Sequence, residues 1–196
     1  MVARVAGVAL LVIAILACGR GGSHRTATGA VDSALPRAQA LARFRRDLPA
    51  VSALEGGATS RDELVRHFIA ALERRDTSAL RSLTLTRSEF AYLYYPTTPQ
   101  GLPPYDLAPD LMWFMLVEHG TKGGSHALQE RGGHELRLLG HRCEGNPSRE
   151  GENTLWGPCL VLRLGERDDT IAERLFGLIM ERGGRFKFVN YANNLD

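Results

Sequence analysis

The chain has 196 residues, with 24 Lys and Arg against 22 Asp and Glu and a formal charge of +2. So even a balance excludes the basic field of a nucleic-acid binder and an extended acidic surface alike. The length suits one domain of ordinary size plus an extension, enough to bury a single core unaided. Lysine occurs only at Lys122 and Lys187, so nearly every cationic side chain is arginine.

The first element is an unbroken apolar run from Val5 to Ala17 behind Arg4. It falls short of the roughly 20 apolar residues a bilayer span needs. It does have the charged start, apolar middle and small final residue of a secretory signal. Ile15-Leu16-Ala17-Cys18 resembles the lipobox of bacterial lipoproteins. That resemblance implies removal of residues 1–17 and a diacylglycerol thioether on Cys18, so that the membrane is a partner through a lipid anchor. The expected location is the cell envelope, facing the periplasm or the exterior; Gly19 resembles the signal for passage to an outer membrane in a Gram-negative cell. An ordinary signal peptide cut near Ala17 is the alternative.

Residues 18–59 read as a lipidated N-terminus and flexible tether. Gly19, Gly21, Gly22, Ser23 and Gly29 lie in a stretch with no periodic apolar face. Leu35, Ala38, Leu41, Ala42 and Leu48 recur at helical spacing among arginines, which predicts one short helix packed loosely on the domain. Gly56-Gly57 marks the end of the tether, and residues 60–196 make a single domain.

Ser60-Arg61-Asp62-Glu63 is a capping box, and the helix it opens carries Leu64, Val65, Phe68, Ile69 and Leu72. Asp76 caps a short helix from Thr77 to Leu83. A second capping box, Thr86-Arg87-Ser88-Glu89, opens Phe90 to Tyr95. Pro96, Pro99, Pro103 and Pro104 impose an extended loop. The next helix starts near Pro109 and carries Leu111, Met112, Phe114, Met115 and Val117 as far as Gly120.

Beyond Gly124 the period becomes two, which predicts strands over His134 to Cys143, Leu155 to Leu164, Ile171 to Glu181 and Arg185 to Asn193. Helices first and a meander last give an α+β class, with N-terminal helices packed on one antiparallel sheet of four or more strands. Alternation puts His134, Trp156, Leu160, Leu162, Arg174, Phe176, Phe188 and Asn190 on the apolar, helix-facing side. Cys143, Cys159, Val161, Ile179, Val189 and Tyr191 fall on the other, outer side. With Cys18 lipidated, Cys143 and Cys159 remain as an even pair in an oxidising compartment, which predicts a disulfide. A two-cysteine metal site is the alternative, but no CxxC or HxxxH spacing accompanies the pair.

The stretch from Leu64 to Asp76, with Ala79-Leu80 after it, and the aromatic strand Arg185-Phe186-Lys187-Phe188-Val189-Asn190-Tyr191 resemble the nuclear transport factor 2-like superfamily, which includes ketosteroid isomerases and polyketide cyclases. The resemblance covers about Ser60 to Asn193 and implies a curved, cone-like sheet whose helix-facing concavity holds the ligand. The residues placed there are His134, Trp156, Arg174, Phe188 and Asn190, with Tyr92 and Tyr95 from the helical side and His119 as a further imidazole. Each also has a structural reading: Arg174 at a strand end with a wet head, Asn190 on backbone, the tyrosines and Trp156 as core with polar tips.

An isomerase of this type needs a carboxylate base in the cone and a donor opposite it, and the predicted inner rows carry no Asp or Glu. No dinucleotide, P-loop, HExxH or GxSxG motif is present, so no cofactor and no metal is implied. The expected function is non-catalytic binding of a small apolar ligand or a protein partner by an envelope lipoprotein. The alternatives are a lyase or isomerase, and an assembly module that dimerises through an outer sheet face around Val161, Ile179, Val189 and Tyr191.

Overall fold

A computed structural model describes residues 35–192; the expected signal and Cys18 lie outside them. Among the described residues five α-helices precede seven strands, which is the α+β class expected. The strands form two antiparallel sheets, one of three strands and one of four, in place of a single sheet.

The compact unit starts at Leu35 and not at Ser60. Helix α1 (Arg37–Arg45) is anchored by Leu41 and Phe44, which are buried together with Leu54 further on. Much of the stretch expected as a tether is therefore part of the domain. Gly56-Gly57 is a tight bend with φ of +70° and +68°. A Cβ on Gly57 would lie 2.4 Å from the Phe186 carbonyl oxygen, so only glycine lets the chain pass there and bring Ala58 into a bridge with Phe186.

In α2 (Arg61–Glu73) the Ser60 hydroxyl accepts the Glu63 N–H at 3.1 Å, while the Glu63 carboxylate accepts from the N–H of Thr59, one residue before the expected partner. Asp76 caps α3 (Thr77–Ser82) by accepting the Ala79 N–H at 2.9 Å. Thr86 and Glu89 make the full reciprocal box around α4 (Arg87–Glu89), which runs into a π-helical turn at Phe90–Tyr94. Helix α5 (Pro109–Arg131) continues well beyond Gly120. Its glycines permit close approach and do not stop the helix: a Cβ on Gly123 would lie 2.4 Å from the Ala192 carbonyl oxygen.

The three-stranded sheet has the order β1 (Leu138–Cys143), β4 (Cys159–Leu164), β5 (Thr170–Glu173). The four-stranded sheet has the order β2 (Ser148–Glu150), β3 (Asn153–Trp156), β6 (Ile179–Arg182), β7 (Arg185–Phe188). Two runs expected as single strands are thus divided between the sheets. Gly157-Pro158 parts β3 from β4, since proline has no N–H to give a ladder, and the segment from Arg174 to Leu178 parts β5 from β6. That second segment pairs with the chain after β7, through a Phe176–Tyr191 bridge and the Val189 N–H on the Leu178 carbonyl.

The four-stranded sheet is covered on both faces. Ile179 and Phe188 join a first core with Leu64, Phe68 and Leu72 of α2, the Phe68 ring lying 5.5 Å from that of Phe188. Leu155, Met180 and Val189 join a second core with Leu41, Phe44, Phe90, Tyr95 and Met112. The expected inner and outer faces therefore do not hold. Val161, Ile179, Val189 and Tyr191, expected outside as dimer contacts, are buried: strand breaks reset the alternation, so that Val161, Ile179 and Tyr191 join the first core with α2, while Val189 is covered by the 35–55 stretch with the 85–95 segment. Cys143 and Cys159 face each other in the β1–β4 ladder and form the disulfide, with Cys159 inside the first core.

Two buried charge clusters tie these layers together. Lys187 of β7 donates to Glu89 Oε2 at 2.9 Å, and the same carboxylate accepts the N–H groups of Thr86 and Glu55 at 2.7 Å each. Both side chains are essentially without solvent contact. Glu173 of β5 is clasped by Arg163 and Arg131, whose Nη2 atoms lie 2.6 and 2.8 Å from its Oε1. Burial pushes the Glu173 carboxyl up, but hydrogen bonds from the two guanidiniums outweigh it and hold the group below the usual carboxylate range.

Candidate functional site

A groove of about 480 Å³ opens between α3 with the loop that follows it, α5, and the chain from Val189 to Tyr191. Its volume is within the range of small-molecule sites. Leu80, Leu85, Val189 and Tyr191 give it a buried apolar floor. Helix α5 contributes Trp113, Leu116, Gly120, Gly124 and Leu128, which fall on one stripe of a 3.6-residue period. Gly120 leaves real space: a Cβ there meets nothing nearer than Asn190 Cβ at 3.8 Å.

Polar groups edge this floor. The Tyr191 hydroxyl donates to the Leu80 carbonyl at 2.6 Å and stays protonated, its acidity suppressed by burial. Thr84 donates its hydroxyl to the Arg81 carbonyl at 2.9 Å, and Thr86, Thr121 and Ser125 add further hydroxyls. The charged members of the lining are Arg81 and Arg87; Asp, Glu, His and Cys do not occur in it. The Arg87 guanidinium is stacked 4.6 Å from the Phe44 ring of α1. Among the described residues neither arginine is within ion-pair distance of a carboxylate.

Of the residues expected in a ligand site, Asn190 lines this groove and the others stand elsewhere. His134 is exposed ahead of β1, and Arg174 is exposed after β5. Trp156 is half-buried under the Arg61 guanidinium at 3.8 Å, with its Nε1–H directed at Glu181. Phe188 is wholly inside the first core. Tyr92 lies beneath Arg45 at 4.3 Å, and Tyr95 is buried with its hydroxyl on the Leu107 carbonyl at 2.8 Å. His119 is on α5 outside the groove lining.

What the sequence reading missed is the wall from Arg81 to Arg87 and the second half of α5. A usable signal existed in the spacing of Trp113, Leu116, Gly120, Gly124 and Leu128. It was obscured by taking Gly120 as a helix stop. The apolar residues that reading did single out on α5, Leu111, Phe114, Met115 and Val117, are exposed, and Met112 alone of that set is buried. Among the described residues no group of three His, Cys, Asp or Glu side chains is placed to hold a metal ion, and no helix is long and apolar enough to cross a membrane. No family model, no curated protein and no solved structure matches this chain.

Proposed function

We propose that this chain is an exported, lipid-anchored envelope protein whose domain binds a small, mainly apolar molecule, without catalysis, in the groove between α3 and α5. The observation that carries the binding reading is the groove itself: an apolar floor of Leu80, Leu85, Val189 and Tyr191 facing an α5 stripe opened by Gly120. Groups that take up or give protons near neutral pH do not belong to its lining, which favours binding over the carboxylate-dependent chemistry of an isomerase. The run Ile15-Leu16-Ala17-Cys18 supports export and anchoring. A helix, Asp76, a short helix and then antiparallel strands support a nuclear transport factor 2-like, cone-like domain.

The test of binding uses the full chain carrying Cys18→Ser and the neutral fluorescent probe N-phenyl-1-naphthylamine. Saturable binding at one site is expected, and Gly120→Leu should abolish it by filling the groove. Because glycine costs a helix interior about 1 kcal/mol, that variant should melt no lower than its parent. Unchanged probe binding in Gly120→Leu would remove this groove as the site. For the anchor, labelled palmitate should enter the wild type and not Cys18→Ser; equal absence from both would end that part of the proposal.

A further inference from the structure

The groove combines an apolar floor with a charge of one sign. The charged members of its lining are Arg81 in the last turn of α3 and Arg87 at the start of α4, so the positive end lies on one wall while α5 supplies the other. Neither is neutralised by a carboxylate among the described residues. By contrast, Arg131 and Arg163 share Glu173 and Arg137 reaches Asp168, while Arg45 and Arg61, like Arg87, are stacked on aromatic rings. Arg87 is moreover steadied by stacking on Phe44, which limits the freedom a guanidinium loses on taking up an anion. Thr84 and Thr86, beside the two arginines, add hydroxyls to the same wall.

We infer that the ligand is a single-chain amphiphile with an anionic head, a carboxylate or phosphate held by Arg81 and Arg87, and an alkyl tail laid over Leu85, Leu116, Val189 and Tyr191. This rests on the groove being the binding site. Guanidinium groups suit both heads, since each offers oxygens for paired N–H donors. A tail buried along the floor gives affinity that rises with chain length, about fourfold for each methylene added.

The experiment is competition against N-phenyl-1-naphthylamine on the full chain carrying Cys18→Ser, below the micelle concentration of each competitor. Dodecanoate, dodecyl phosphate and dodecanol share one tail and differ in the head. The two anions should displace the probe about tenfold more tightly than dodecanol, the size expected of charge-assisted contacts at a partly exposed site. Whichever anion is tighter names the head, and with it a free fatty acid or a phosphate-bearing lipid as the source. In Arg81→Gln/Arg87→Gln the anions should fall to the level of dodecanol, with dodecanol itself unaffected, and Arg81→Lys/Arg87→Lys should restore part of the preference. Equal displacement by all three in the parent would overturn the anionic head and leave the groove reading intact. Failure of the neutral probe to bind at all would instead remove the groove reading, and the inference with it.

Discussion

Removing either half of the Glu89–Lys187 pair should be costly, and unequally so. Among the described residues, the Lys187 ammonium has Glu89 as its hydrogen-bond acceptor, whereas the Glu89 carboxylate also accepts two backbone N–H groups, from Thr86 and Glu55. Loss of one partner from a buried pair costs about 3–5 kcal/mol. Lys187→Met belongs at the low end, about 3 kcal/mol, because the carboxylate left behind keeps two donors. Glu89→Leu belongs at the high end, about 5 kcal/mol, and gives up two further hydrogen bonds of about 1 kcal/mol each. The double substitution removes both charges, so its cost should fall about 2–3 kcal/mol below the sum of the singles. Urea unfolding at pH 7, followed by circular dichroism with midpoint and slope fitted together, measures all three. The reasoning fails if Lys187→Met costs more than Glu89→Leu, or if the two singles add within about 0.5 kcal/mol.

Three further outcomes follow from the same geometry. Gly123→Ala should destabilise by more than 1 kcal/mol, about the size of a backbone clash that must shift the chain, while Gly120→Ala should stabilise slightly; equal thermal midpoints for the two would contradict the close approach of α5 to Ala192. Glu173 is held below the usual carboxylate range, so its contribution is complete above about pH 4.5 and fades as the pH falls through the folded-state value; Glu173→Gln should therefore lose most stability at pH 7 and progressively less as the pH is lowered, and a pH-independent difference would count against it. Replacing Cys143 and Cys159 with Ala opens a 16-residue loop and should cost about 3 kcal/mol, read as a fall in the urea midpoint that reducing agent reproduces in the parent chain.

The parts of this fold that depend on local chemistry were legible in the sequence. Ser60, Asp76 and Thr86 each announce a helix start by the reach of one side chain, and the helices begin there. Cys143 and Cys159 were legible as a pair once Cys18 is assigned to the expected lipid anchor and the two that remain to an oxidising compartment. The sheet was not, because alternation assigns faces correctly only within an unbroken strand, and Gly157-Pro158 and the segment from Arg174 to Leu178 reset it twice. Nor does alternation say what covers the second face: Leu41 and Phe44 lie in a short arginine-rich helix, and nothing in their spacing says that Phe90 and Tyr95 pack against it. The groove was missed for a related reason. Its residues come from three separate stretches, and only the α5 stripe has a period that a single sequence displays.

The alternation of Phe186, Lys187, Phe188 and Val189 across two cores turns the buried lysine into a registration mark. Ile179 and Phe188 face α2 while Met180 and Val189 face α1 and the π-helical turn, so both faces of the sheet here meet apolar surroundings and burial alone would tolerate β7 sliding by one residue. A slip of one residue exchanges the two faces. It would drive the Lys187 ammonium among Phe68, Phe176 and Ile179 and present a phenyl ring to the Glu89 carboxylate, leaving two charges buried and alone. The one arrangement that spares both is the one observed, so a single lysine settles which way a strand between two greasy layers must be threaded.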